Sequence, residues 1–262
     1  MRGESTKHFR MEDGSFAAIQ YNTAVHYENE EGQWIDIDNT LQPVSTFSGG
    51  EVYMASNGDD VTAFSADLTG GDIFSVYSGA YGLQMQLFSG APDLLGETAE
   101  VAPMETSETF NPNSVASVSD QNASSYALPE PSFIPEALSS TVLYEDVFEG
   151  VDLQYDLFGY NVKESIIVKS LRNSYTFDFV LQLDGLTPTL QANGSVSLCN
   201  EENEPVYVIP APYMVDATGS YSEDVYYTLT EVQDGTAILS VTADDTWIEE
   251  ATLPVTIDPT IT

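Results

Sequence analysis

Asp36 and Asp38 sit two residues apart in the run Trp34-Ile35-Asp36-Ile37-Asp38, with Glu28, Glu30 and Glu31 just upstream. In an extended strand that spacing puts both aspartates on one face. Such a face is able to grip a hard cation, which takes several carboxylate and carbonyl oxygens. The D-x-[DN]-x-[DN]-G pattern of a calcium loop is absent, so the plainer expectation is a solvated acidic surface. Asp244-Asp245 and Glu223-Asp224 are weaker versions of the same arrangement. Two carboxylates across a cleft also serve glycoside hydrolysis, but among 42 Asp and Glu no pair is singled out. Cys199 is the sole cysteine, so no intramolecular disulfide forms, and His8 and His26 lie far from it in sequence. No zinc spacing, GxSxG elbow, HExxH helix or phosphate-cradling glycine loop occurs. The expectation is no catalytic residue, no cofactor, no metal and no enzyme, with an acidic hydrolase as the outlying alternative.

Two other chemistries are open. Trp34 shares its strand face with Asp36 and Asp38, and together with Trp247 and many tyrosines it offers rings on which sugars stack. Glycans are therefore a candidate partner. Lys163 and Lys169 are notable because lysine is so scarce, and a lysine beside a buried acid is what an intramolecular amide cross-link needs. Strand parity places both on the face opposite Glu164, the nearest acid, which argues against it.

The charge balance bounds the partners. Against 42 acidic residues stand 6 Lys and Arg, a formal charge of −36. No basic side chain lies between Arg10 and Lys163, and none follows Arg172. DNA, RNA and anionic lipid are held mainly by Lys and Arg against phosphate, so the composition predicts no nucleic acid among the partners. No apolar run approaches the roughly 18 residues that span a bilayer, and no membrane insertion is expected. The acidity fits a solvated extracellular surface, a divalent-cation binder or a salt-loving source.

The elements that must position these groups read as strands. In VFEGVDLQYDLFGYNVKESIIV, residues 147–168, apolar and polar positions alternate on both sides of Gly159-Tyr160, a two-residue turn with glycine first. Folding there sets Leu157 opposite Val162, Asp156 opposite Lys163, Leu153 opposite Ile166 and Val151 opposite Val168. Glu164 is the one charge this register puts on the apolar face, opposite Tyr155. A second hairpin over 16–41 pairs Val25 with Ile35 and His26 with Trp34. Short strands follow at 51–55, 61–66, 72–78 and 81–88. Tyr175, Phe177, Phe179, Leu181 and Leu183 predict a central core strand. Val206–Ile209, a strand through Val225, Tyr227 and Leu229, its return through Ala237–Ala243, and Leu253–Ile257 complete the set. No stretch keeps a helical period over eleven residues. The fold expected is all-β, in antiparallel β-sandwich-like sheets, as two units, 1–97 and 141–262, joined by a Ser-, Pro- and Glu-rich linker over 98–140.

The phrases KHFRMEDGSF, AVHYENEEGQWIDIDNTL, VFEGVDLQYDLFGYNVKESIIV, IPAPYMVDATG and LPVTIDPTI, in that order, resemble the non-repeat N-terminal region of secreted Gram-positive surface proteins. These are the wall-associated RHS/YD-repeat proteins and polymorphic toxins, and related proteins with a DNRLRE domain. The resemblance implies a segment of a large extracellular or wall-associated protein, with a signal peptide upstream and repeats or a DNRLRE module downstream. It also implies a non-catalytic structural or interaction role whose partners are other modules of the same chain. A carbohydrate- or wall-polymer-binding module is the alternative. The opening MRGESTKHFR has no apolar core of its own for secretion.

Overall fold

The computed structural model describes residues 3–10, 13–21, 23–46, 50–88, 102–104, 136–233, 235–258 and 260–261. Most of the expected linker, 98–140, lies outside these residues.

Two short hairpins come first, β1 (Thr6–Arg10) with β2 (Phe16–Gln20) and β3 (His26–Glu28) with β4 (Trp34–Asp36). A meander follows: β5 (Gln42–Ser45), β6 (Glu51–Asn57), β7 (Asp60–Ser65), β8 (Asp72–Ser78) and β9 (Tyr81–Leu87). After β10 (Ala102–Met104) come β11 (Ser139–Phe148), β12 (Val151–Phe158), β13 (Asn161–Val168) and β14 (Thr176–Asp184). β15 (Thr187–Leu190), β16 (Val196–Cys199) and β17 (Pro205–Ile209) form a small sheet of their own. The chain closes with β18 (Tyr213–Val215), β19 (Tyr221–Ser222), β20 (Val225–Gln233), β21 (Thr236–Ala243), α1 (Asp245–Glu250), β22 (Val255–Asp258) and β23 (Thr260–Ile261).

Two eight-stranded antiparallel sheets dominate. One runs β10-β11-β12-β13-β22-β18-β19, with β23 also on β13; the other runs β20-β21-β14-β9-β8-β7-β6-β5. Their inner faces share one core. Tyr155 of β12 packs 5.9 Å from the Phe64 ring of β7 and 5.2 Å from the Phe74 ring of β8. The Tyr144 hydroxyl of β11 crosses to the carbonyls of Ser65 and Ile73, at 2.8 and 3.1 Å. The all-β expectation holds, and the hairpin register of 147–168 is the one the alternation predicts at every pair named above. Gly159 has φ of +59° while Tyr160 stays negative, the pattern of the expected turn. A side chain there would also meet the Thr23 hydroxyl at 2.5 Å, so glycine is required twice over. β14 is the central strand the sequence predicts, flanked by β21 and β9, with Tyr175, Phe177, Phe179 and Leu181 buried.

Two expectations need correction. The two-unit division does not match the strand pairing: β9, from the first block, is hydrogen-bonded along β14, from the second, and both contribute to the same core. Strand alternation is a local pattern and carries no information on which distant strand is the neighbour. The second hairpin is offset, with His26 opposite Asp36, Tyr27 opposite Ile35 and Glu28 opposite Trp34. A shift of two keeps every face, so the hydrophobic pattern could not exclude it. Beside the strands, Asp245–Glu250 is a short helix whose N-cap, Asp244, accepts from the Trp247 backbone N–H at 2.7 Å. One and a half turns are too few to show a helical period.

A buried asparagine ties the first block to the start of β11 and to the turn between β12 and β13. Asn39, 1% exposed, donates from Nδ2 to the carbonyls of Leu138 and Gly159, at 2.9 and 2.8 Å. Its Oδ1 accepts from Asn57 Nδ2 at 3.0 Å, and Asn57 Oδ1 accepts from the Asp38 N–H at 2.8 Å. Its own N–H reaches Ala137 O at 2.6 Å. Every polar atom of that side chain is satisfied, so losing it breaks three buried hydrogen bonds, although the Leu138 carbonyl keeps the Gly159 N–H at 3.4 Å. Asn39→Ala should lower stability by about 2–3 kcal/mol in urea denaturation, and Asn57→Ala should be non-additive with it. Additive losses would show that the two amides act separately.

Candidate functional site

β13 carries a polar constellation on each face because its side chains alternate. On the inner face Glu164 is 1% exposed, directly opposite Tyr155, whose hydroxyl donates to Glu164 Oε1 at 2.5 Å. The polar anchor that the hairpin register places on the apolar face is therefore present. Burial pushes the Glu164 carboxyl up to about 8; the Tyr155 hydrogen bond restrains that rise and the charge of Asp258 adds to it. Burial, with Glu164 second, likewise drives the Tyr155 phenol well above its ordinary value. The Tyr227 hydroxyl, also within the field of Glu164, is buried without a hydrogen-bond partner among the described residues, and its phenol is pushed up chiefly by burial. A carboxyl so enclosed cannot reach a substrate in solution; what it does here is fix the packing of β12 on β13.

On the outer face Lys163 Nζ lies 2.8 Å from Asp258 Oδ2, a carboxylate only 4% exposed on β22. The Tyr213 hydroxyl of β18 donates to the same oxygen, and the Tyr213 ring stacks on Tyr221 with centroids 5.4 Å apart. Lys169 bridges Asp146 and Asp152, at 2.8 and 2.6 Å. Both lysines are thus ion-paired, and Glu164 lies across the sheet from them, so it cannot shuttle a proton for an amide cross-link. The strand parity read from the sequence holds.

The remaining sequence candidates are dispersed. Asp36 is taken by Lys7 Nζ at 3.1 Å and His26 Nε2 at 2.9 Å, while Asp38 caps the Thr40 N–H at 2.9 Å. Glu28 is opposite Trp34, and Glu30 and Glu31 occupy the exposed turn. Glu223 accepts from the Tyr221 hydroxyl at 2.9 Å, Asp224 from the Ser222 hydroxyl at 3.1 Å, and Asp244 is the helix cap. Among the described residues no group of three or more His, Cys, Asp or Glu is placed to hold a metal. Trp34 is half-buried and Trp247 packs against the core from α1, so neither tryptophan is a free platform. Cys199 is buried on β16, and His26 Nδ1 lies 2.7 Å from the Gly3 carbonyl. Sequence reasoning missed the Asp258–Tyr213–Lys163 cluster, since only the pairing of β22 with β13 and β18 brings it together.

No protein-family model matches the chain, and no solved structure is significantly similar to it. Curated relatives are similar over part of it. A protein named tRNA nuclease WapA, from Bacillus subtilis strain 168, is 34% identical over 130 residues, 46% of this chain and 6% of that protein. A tRNA3(Ser)-specific nuclease WapA from Bacillus spizizenii is 33% identical over the same shares. A wall-associated protein of Geobacillus stearothermophilus is 36% identical over 76 residues, 29% of each chain. The matched region thus spans a small fraction of the relatives' length. The similarity supports a likeness to Gram-positive wall-associated proteins and a cell-surface module, and it agrees with the expected wall-associated location. No helix among the described residues is long and apolar enough to cross a membrane.

Two expectations are overturned by these relatives. The sequence argued against an enzyme and against nucleic acid as a partner, yet proteins sharing this region are named tRNA nucleases. Charge summed over 262 residues does not bound what much longer proteins with such a region bind. Motifs sought in that span do not bound their chemistry either.

The inner anchor sets a pH dependence. In the folded protein Glu164 keeps its proton up to about pH 8, against a reference value of 4.5. Between those values the folded state binds more protons than the unfolded one, so stability should fall as pH rises and level off above the upper value. Glu164→Gln should flatten that slope in urea denaturation across the window, whereas Glu164→Ala should cost about 1–3 kcal/mol at neutral pH by orphaning Tyr155. An unchanged slope in Glu164→Gln would show that another group titrates.

Proposed function

We propose that this chain is a β-sandwich module of a long wall-associated protein of the RHS/YD-repeat or DNRLRE kind, a structural and interaction segment holding neighbouring modules at the cell surface. The observation that carries the reading is the match of nearly half this chain to a small fraction of very long relatives. The ordered phrases shared with such surface proteins support it, as does the likeness to a wall-associated protein. The long protein's activity is proposed as tRNA cleavage by analogy with the relatives' names. Partners of the segment are other modules of the same polypeptide and the wall around them.

Deleting the segment from the full-length protein should move most of that protein from the wall fraction into the medium, read by immunoblot of fractionated cells. A core-disrupting substitution such as Phe179→Asp should do the same, since Phe179 is fully buried and an unpaired carboxylate there is prohibitively costly. Unchanged wall retention in both would overturn the assignment.

A further inference from the structure

An open sheet ends in edges, where a row of unpaired N–H and C=O groups is a template for another strand. Among the described residues the two large sheets have four edge strands. Three of them are blunted: β5 has four residues and β10 three, with Pro43 and Pro103 respectively, and β19 has only two. β20 is unguarded. It runs nine residues, Val225–Gln233, without proline, glycine or a basic side chain, and Glu231 is its one acid.

The neighbouring ladder shows which backbone groups of β20 are open. The Ala243 N–H donates to the Tyr175 carbonyl at 3.0 Å, and the Leu183 N–H donates to the Gly235 carbonyl at 2.7 Å, so odd-numbered residues of β21 bond to β14. Its even-numbered residues bond to β20, where they face Tyr226, Thr228 and Thr230. Val225, Tyr227, Leu229 and Glu231 therefore turn N–H and C=O to the open side. β15 and β18 come near β20 without pairing to it, and among the described residues no backbone hydrogen bond reaches those groups from that side. Tyr226, Thr228 and Thr230 are exposed on the outer face of the sheet. Tyr221 of β19, which ends the other sheet just before β20, is 56% exposed, as is Tyr226.

We propose that β20 pairs antiparallel with β20 of a second copy of this chain, continuing the sheet across a two-fold axis at Thr228. The regular run Val225–Glu231, seven residues before the bulge, is centred on that threonine. In this register Tyr227 lies opposite Leu229 and Val225 opposite Glu231, so all four open residues exchange hydrogen bonds. Tyr226 meets Thr230, an aromatic against a β-branched residue, and Thr228 meets itself. The acid of the run thus faces valine rather than its own copy. A slip of one residue sets open groups against groups already bonded to β21. A slip of two shortens the paired run and, in one direction, sets Glu223 opposite Glu231. With one acid in nine residues the edge does not select a basic strand, whereas its own sequence fits it at every pair. The opposing term is the charge of −36 on each copy, so pairing requires salt to screen the repulsion. The inference uses only the chain's own strands and is independent of the surface-module reading.

The test is sedimentation equilibrium of the whole chain at about 0.01 M and about 1 M salt, between which the screening length falls from about 30 Å to about 3 Å. A species of twice the chain mass should form at high salt and dissociate at low salt. Thr228→Cys reads the register. The axis makes position 228 a non-hydrogen-bonded pair with itself, its Cα atoms about 4.5 Å apart, within reach of a disulfide. Oxidation with diamide should therefore give a covalent dimer on a non-reducing gel. Ser56→Cys, exposed on β6 at the far side of the same sheet, should stay monomeric, and the native Cys199 is buried. Thr228→Glu, which sets like charges face to face, should weaken association about fivefold, and Ser56→Glu, adding the same charge elsewhere, should weaken it less. Thr228 is exposed, so neither of its variants should alter the melting temperature. A monomer at both salts would mean that the edge awaits some other strand and would overturn the proposal. A dimer that Thr228→Cys cross-links no better than Ser56→Cys, or that both glutamates weaken equally, would place the contact elsewhere and overturn it too.

Discussion

The pairing of β9 with β14 is the constraint on which the rest of the structure depends. Six residue pairs, from Phe179 with Leu87 to Asp184 with Gly82, join strands some ninety positions apart in the chain. That junction turns a five-stranded meander and a three-stranded group into one sheet with a continuous inner face. Leu83, Met85 and Leu87 of β9 then line up with Phe179, Leu181 and the rest of the core. Without it, β9 and β14 would each present an unpaired edge, and the Phe64–Phe74–Tyr155 aromatic contact would lack the rigid sheet that aims it. The contact of Gln182 with Gln86 exists for the same reason, since Gln86 comes from one block and Gln182 from the other.

Polar groups inside the sandwich refine this arrangement. Asn39 and Asn57 form a closed network with backbone groups at 137–138 and at the Gly159 turn. A fully satisfied buried network specifies a single arrangement, because any shift leaves costly unmade bonds. Glu164 is a different kind of group. Its hydrogen bond to Tyr155 does not repay its burial, so it is held neutral over the pH range in which surface acids are ionised. Immediately across β13, Lys163 and Asp258 lie 2.8 Å apart in a pair supported by Tyr213. β13 thus borders two acid environments, its own Glu164 on the inner face and Asp258 of β22 beside Lys163 on the outer one.

What the sequence made legible follows from the range of each interaction. The 151–168 hairpin was readable to the residue because glycine at the turn fixes the register and apolar positions match across it. From that register followed the burial of Glu164 and its contact with Tyr155, and the exclusion of Lys163 from it. The His26–Asp36 register was not readable, because the polar turn at 28–32 allows two alignments that bury the same faces. Long-range pairing was invisible: nothing in Tyr81–Leu87 or Thr176–Asp184 alone names the other as neighbour, and a polar stretch between them looked like a boundary. The Asp258 cluster and the Gln182–Gln86 contact were hidden for the same reason. Net charge misled about partners because it describes this span and not the long proteins in which such spans occur.

The β9–β14 pairing makes one sandwich of both blocks. Its most direct test is to express residues 1–104 and 136–262 as separate chains, alone and together, in a tagged pull-down followed by thermal unfolding. The strand pairing predicts that neither piece unfolds cooperatively alone, and that together they form a one-to-one complex with a single transition. Two pieces that each melt cooperatively and do not associate would contradict it.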